Sequence, residues 1–166
     1  MPKYTVPGMD DADAAKVRGI LQDRLTAMLD LQLTLKHVHW NVVGPNFIAV
    51  HEMIDPQVDA VRAFSDKLAE RIATLGGEPL GTPGSITELR AWKDYELNRA
   101  VTTEHLKALD TVYQGVITSH RDAIDELDDP DPVSQDMLIG QADQLELFHW
   151  FVRAHLEDKG GNIQGS

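Results

Sequence analysis

The 166-residue chain is expected to be all-α, a four-helix bundle. Three observations carry this: apolar residues recur at the helical period through four long stretches, Gly/Pro pairs and an Asp-rich corner separate them, and no segment alternates as a strand would. Residues 1–10 (MPKYTVPGMD) are expected to form a flexible N-terminal tail. The first helix is expected over about 11–43, where Val17, Ile20, Leu21, Leu25, Met28, Leu29 and Leu35 follow the period. It stops at Gly44-Pro45, and Asn46 is placed to cap the second helix. That helix covers about 47–75 and contains Pro56, which removes a backbone donor, so a kink is expected near 52–56. The competing reading makes Asp55 the N-cap of a helix starting at Pro56. Gly76-Gly77 ends the helix and opens a Gly/Pro-rich connection (76–85) leading to a short extra helix around 85–92. A third long helix is expected over about 95–127. The corner DDPDP (128–132) turns the chain into a fourth, about 133–158. Residues 159–166 are expected to be a flexible C-terminal tail, which leaves 11–158 as the single folded domain.

Composition narrows the function. A hydrophobic fraction of 42% and a charged fraction of 25% describe an ordinary globular chain. The absence of Cys excludes disulfides and thiol chemistry, and agrees with the cytoplasmic location we expect. No apolar run is long enough for a membrane span, and no signal-peptide pattern occurs. The net charge of −12 favours cations and disfavours nucleic acid.

Five residues carry the chemistry: His39, His51, Asp55, Asp66 and Glu70, spaced H-x11-H-x3-D-x10-D-x3-E. His51/Asp55 and Asp66/Glu70 are i,i+4 pairs, which a helix stacks on one face. Imidazole plus carboxylate is a donor set that iron accepts. Asp55 and Asp66 lie about 16 Å apart along one helix, so they cannot grip the same ion. Either there are two separate half-sites, or a symmetry mate supplies the histidines and Asp55 to the Asp66/Glu70 of this chain. A di-iron centre inside one bundle would need paired E-x-x-H motifs. The chain has one, Glu146–His149, and its first helix holds no Glu, so we read that motif as chance spacing. His37 fits no ligand template and is read as structural; Trp92 and Trp150 are read as packing residues.

The segments KHVHWNVVGPNFIAVHEMID and SDKLAERIATLGG carry all five ligand positions, and with LFHWFVRAHLE in the last helix they resemble the Dps family, the DNA-protecting mini-ferritins of starved cells, in its actinobacterial form. The resemblance covers about residues 12–158. It implies a ferritin-like four-helix bundle with a short extra helix in the long connection, assembled as a homo-dodecamer. It further implies a ferroxidase that oxidises Fe(II), with hydrogen peroxide preferred over oxygen, and stores ferric mineral in the shell against oxidative stress. Two irons would occupy each site between two-fold-related chains. Asp66 and Glu70 of one chain and His39 of its mate would hold the first; the mate's His51 and Asp55 would hold the second.

Three further expectations attach to particular residues. Trp40, next to His39, is a candidate electron relay as well as an interface aromatic. Residues 122–136 carry seven acids and no Lys or Arg. A charge run of that kind is ordinarily a solvated face, but the resemblance implies an iron-admitting pore at a three-fold axis, with Glu126, Asp131 and Asp136 lining it. DNA binding in the family commonly uses basic tails; those of this chain are mixed in sign, so weak or absent DNA binding is expected. The other function classes considered are a DNA-compacting structural protein, which a salt-dependent gel shift discriminates, and a metal-dependent hydrolase using the same inter-chain site.

Overall fold

The computed structural model of the chain describes residues 6–158, 160, 162 and 163. Most of the two expected tails lies outside those residues. Val6, Met9 and Ile163 rest against the core, and Glu157 bridges to Ile163.

Four long helices dominate: α1 (Asp11–Asn41), α2 (Phe47–Thr74), α4 (Thr102–Leu127) and α5 (Pro132–Ala154), with the short α3 (Pro83–Leu89) in the middle connection. Asp10 caps α1, its carboxylate accepting from Ala12 and Asp13 N–H at 2.9 and 2.8 Å. α1 pairs with α2 and α4 with α5, giving two helical hairpins. They close over one core built from Leu21, Met28, Leu35, Ile54, Leu68, Tyr113, Leu138 and Leu145. α2 runs unbroken through Pro56, as expected of the continuous reading. Asn46 does precede α2, but with φ of 60° and no side-chain cap bond. It serves the chain reversal, together with Gly44 at φ 88°, rather than the cap. At the far end of α2, Gly76 (φ 74°) and Gly77 close the helix. The Gly77 N–H donates to Ile72 C=O and the Gly76 N–H to Ala73 C=O, both at 2.9 Å.

Two boundaries differ from expectation. The third long helix begins at Thr102, not near Tyr95, because residues 90–99 are held in a non-helical path by tertiary bonds. Arg90 reaches Asp30 at 3.1 Å, Trp92 Nε1 donates to Asp30 at 2.7 Å and the Tyr95 hydroxyl meets His105 Nδ1 at 2.8 Å. Trp92 is therefore also a hydrogen-bond donor. A two-residue parallel ladder, β1 (Val42–Val43) with β2 (Ala100–Val101), ties this segment to the α1–α2 turn. The last helix ends at Ala154 rather than near Asp158, the Leu156 and Glu157 N–H groups folding back on Arg153 C=O.

The middle of the bundle holds polar pairs. The Tyr113 hydroxyl donates to Gln57 at 2.6 Å, His149 Nε2 lies 2.6 Å from Asp110, and His120 Nε2 lies 3.2 Å from Gln141. Glu146, the other half of the E-x-x-H motif, points away to Arg121 at 2.7 Å. The motif thus spends its two side chains on separate contacts. Burial, and secondarily Arg24, push the His120 imidazole down to about 4. A histidine kept neutral in the fold while the unfolded chain takes up protons costs stability as pH falls from about 6.5 toward 4. Urea unfolding should therefore show wild type losing about 2–3 kcal/mol more than His120→Gln between pH 7 and pH 4.5.

Candidate metal centre

The end of α1 and the start of α2 place three of the five ligand candidates together. His39 Nδ1 donates to the His51 carbonyl at 2.9 Å, and His51 Nδ1 donates to the His39 carbonyl at 2.8 Å. A carbonyl only accepts, so both Nδ1 atoms carry hydrogen in these bonds, and in the neutral rings Nε2 keeps the lone pair. Second-partner bonds of this kind are how metal-binding imidazoles are oriented. The two rings stack at 3.6 Å between centroids, and Phe47 lies on His51 at 5.1 Å. Asp55, one turn after His51, brings Oδ1 to 3.3 Å from His39 Nδ1. Lys36 Nζ donates to the same Asp55 oxygen at 2.7 Å. That hydrogen bond first, aided by the Lys36 charge, holds the Asp55 carboxyl below its ordinary range against desolvation. Lys36 is the neighbour that spacing did not reveal; its signal is its place three residues before His39, on the same face of α1.

Asp66 and Glu70 lie three turns further along α2 and do not approach this cluster. Among the described residues, no three His, Asp or Glu side chains of one chain converge as a metal cage. The α2 surface explains how the set is arranged. Val50, Ile54, Val61 and Leu68 face the core. Ile48, His51, Asp55, Asp59, Arg62, Asp66 and Glu70 recur every three or four residues on the outer side. Beside that stripe stand Leu33, Trp40 (71% exposed) and Phe47, an apolar surface left open on the single chain. His37 is structural, its Nε2 lying 2.8 Å from Leu97 C=O. Trp150 is mostly exposed, tilted against Phe151 at 5.4 Å.

At the acidic corner the three pore candidates separate. Glu126 and Asp136 are exposed. Asp131 differs from the expectation of an open lining residue: it is 3% exposed, paired with Arg71 at 2.7 Å and bonded by the Ser134 hydroxyl. Its carboxylate clamps the end of α2 to the start of α5.

Known proteins bear the same features. A ferritin-like domain matches residues 19–159. The DNA protection during starvation protein of Mycolicibacterium smegmatis is 58% identical over 163 residues, 98% of this chain and 89% of that protein. DpsA14 from Streptomyces coelicolor superposes with a TM-score of 0.96 at 58% identity, over 98% of this chain and 96% of the other. Dps from Microbacterium arborescens, solved in a high iron form, gives a TM-score of 0.85 at 30% identity, over 93% and 100% of the two chains. In its helical hairpins, its short connecting helix and its near-complete match to these relatives, the chain belongs to the Dps proteins of the ferritin-like family.

Proposed function

We propose that the protein is a ferroxidase and iron store whose dinuclear centres form between two-fold-related chains of a homo-dodecamer. One observation carries this. His51 with Glu70, and Asp55 with Asp66, are placed symmetrically about the same midpoint of the outward α2 stripe, between residues 60 and 61. A two-fold axis there lays α2 antiparallel on its mate and sets each His/Asp end against the other chain's Asp66/Glu70. The same contact covers the apolar surface of Leu33, Trp40 and Phe47. Among the relatives, the Microbacterium protein is described in a high iron form, which supports iron as the substrate.

In this arrangement Asp66 and Glu70 of one chain and His39 of the mate hold one Fe(II), and His51 and Asp55 of the mate hold the other. The reaction balances without radicals: two Fe(II) give up one electron each, and hydrogen peroxide with two protons becomes two waters. Oxygen is the slower oxidant. The imidazoles need no rearrangement to offer Nε2, since Nδ1 is already engaged. Trp40, exposed beside His39, supplies an electron to any stray one-electron oxidant; Trp40→Phe should raise spin-trapped hydroxyl radical during turnover while leaving the Fe(II) oxidation rate within about twofold.

The test is stopped-flow oxidation. Protein loaded anaerobically with Fe(II) and mixed with hydrogen peroxide should show a fast phase saturating at two irons per chain, in an assembly of about 220 kDa made from 18.5 kDa chains. A slow phase with no saturation, or a monomer in solution, would overturn the reading. Exposed Glu126 and Asp136 are proposed to draw Fe(II) inward at the three-fold corner, where a narrow acidic opening focuses the field. Changing both to amides should slow iron loading several-fold and leave oxidation of bound iron unchanged.

We assign the protein to the cytoplasm; no helix among the described residues is long and apolar enough to cross a membrane. Although the Mycolicibacterium relative is named for DNA protection, a −12 charge on every chain opposes phosphate contact. Protection here is proposed to be chemical, with no duplex shift on a gel at physiological salt.

A further inference from the structure

A groove remote from the iron ligands runs between α1 and α4, roofed by residues 91–97. Its volume is about 730 Å³, within the range of small-molecule sites. One end is marked by Arg24, whose Nη1 donates to the Ser119 hydroxyl; the other lies between Thr34 and Ala108. Ten residues of α1 separate the ends, about 15 Å. Leu31, Val112 and Val116 make the walls apolar.

At the Arg24 end of this groove, among the described residues, no carboxylate contacts the guanidinium. Asp30 is taken by Arg90 at 3.1 Å and by Trp92 at 2.7 Å, and Asp94 pairs with Arg90. Lys93 and Glu96 are also on the lining, of opposite sign. Arg24 is 8% exposed, and among the described residues no carboxylate lies within ion-pair distance of it. Asp23, Asp122 and Glu126 act on it only from further away, and burial lowers its pKa. A buried guanidinium with only a hydroxyl partner is costly unless an anion completes it. Gly115 lies on the exposed rim of the groove. It is a helical residue on the groove wall, and a Cβ built there meets nothing within 4 Å.

We propose that this groove binds a small amphipathic carboxylate, its head group on Arg24 and Ser119 and its chain along the apolar walls. Guanidinium with carboxylate is the strong, two-pronged pairing that selects such a head group. The neutral hydroxyl of an alcohol cannot use it.

Calorimetric titration of the assembled full-length chain with dodecanoate, and separately with dodecanol, tests this. Dodecanoate should saturate at one per chain and bind at least about tenfold tighter than dodecanol. Arg24→Gln should erase that preference. Gly115→Leu fills the groove and should abolish binding of both, while thermal unfolding by circular dichroism shows no loss of stability, since leucine favours the helix over glycine. Absence of saturable binding, equal affinity for acid and alcohol in wild type, or unchanged binding in both variants would each overturn the proposal. Iron oxidation plays no part in these readouts.

Discussion

Asp66→Ala and His39→Ala should each abolish the fast phase of peroxide-driven Fe(II) oxidation, slowing it by about 100-fold or more, because in the proposed centre each is a direct ligand and charge stabilisation there is worth several kcal/mol. Co-assembling the two variants should then restore activity that neither possesses. In a mixed pair, the His39→Ala chain still brings Asp66 and Glu70, while the Asp66→Ala chain still brings His39, His51 and Asp55. One of the two centres is whole and the other is doubly damaged. With random pairing, half of the pairs are mixed, so about a quarter of the wild-type fast amplitude should return. A centre contained in a single chain would give no recovery. The amplitude in the mixed assembly therefore separates the inter-chain site from two independent half-sites.

The largest stability effect should come from Arg71, which follows Glu70 in α2 but turns its side chain to Asp131 at the start of α5. Arg71→Met leaves the Asp131 carboxylate buried without its cation. Losing one partner of a buried pair costs about 3–5 kcal/mol, far more than an exposed ion pair is worth. Urea unfolding at pH 7 should show this loss, and Asp131→Asn added to Arg71→Met should recover much of it, since no charge is then stranded. The pH response follows from the sign of the shift. Burial alone raises the Asp131 pKa, but the Ser134 and Arg71 hydrogen bonds outweigh it and leave the carboxyl below its ordinary value. The stabilisation is complete above about pH 4, the unfolded carboxylate range, and is lost as pH falls from there through the depressed native value. In Arg71→Met that part of the acid dependence should shrink.

Much of the helix map was legible because the core-facing residues of α1 and α2 repeat at the helical period over many turns. The ladder of Val42–Val43 with Ala100–Val101 was not, since two residues are too few to show alternation. Residues 95–101 read as helix, yet distant partners such as Asp30, His37 and His105 hold the 90–99 stretch out of the helix, and local propensity carries no record of them. At the candidate metal centre, spacing groups His39 with His51 and Asp55, and their closeness within one chain follows from the α1–α2 turn. Lys36 escaped notice because a lysine in a helix ordinarily reads as a solvated surface residue. Asp131 departs from its expected open position for the opposite reason. An acid within a run of acids reads as solvated, and the partner that draws it inward, Arg71, lies sixty residues earlier.

The two hairpins divide the molecule in a way that bears on how such proteins diversify. Every ligand candidate lies on the α1–α2 hairpin, between His39 and Glu70, whereas Glu126 and Asp136 belong to the α4–α5 hairpin. A chain built like this can vary its traffic and its chemistry as separate traits. On the proposed function, exposed acids such as Glu126 and Asp136 would set how fast iron is taken up without touching the oxidising centre, whereas Asp131, tied to Arg71 beside Glu70, would link the two hairpins.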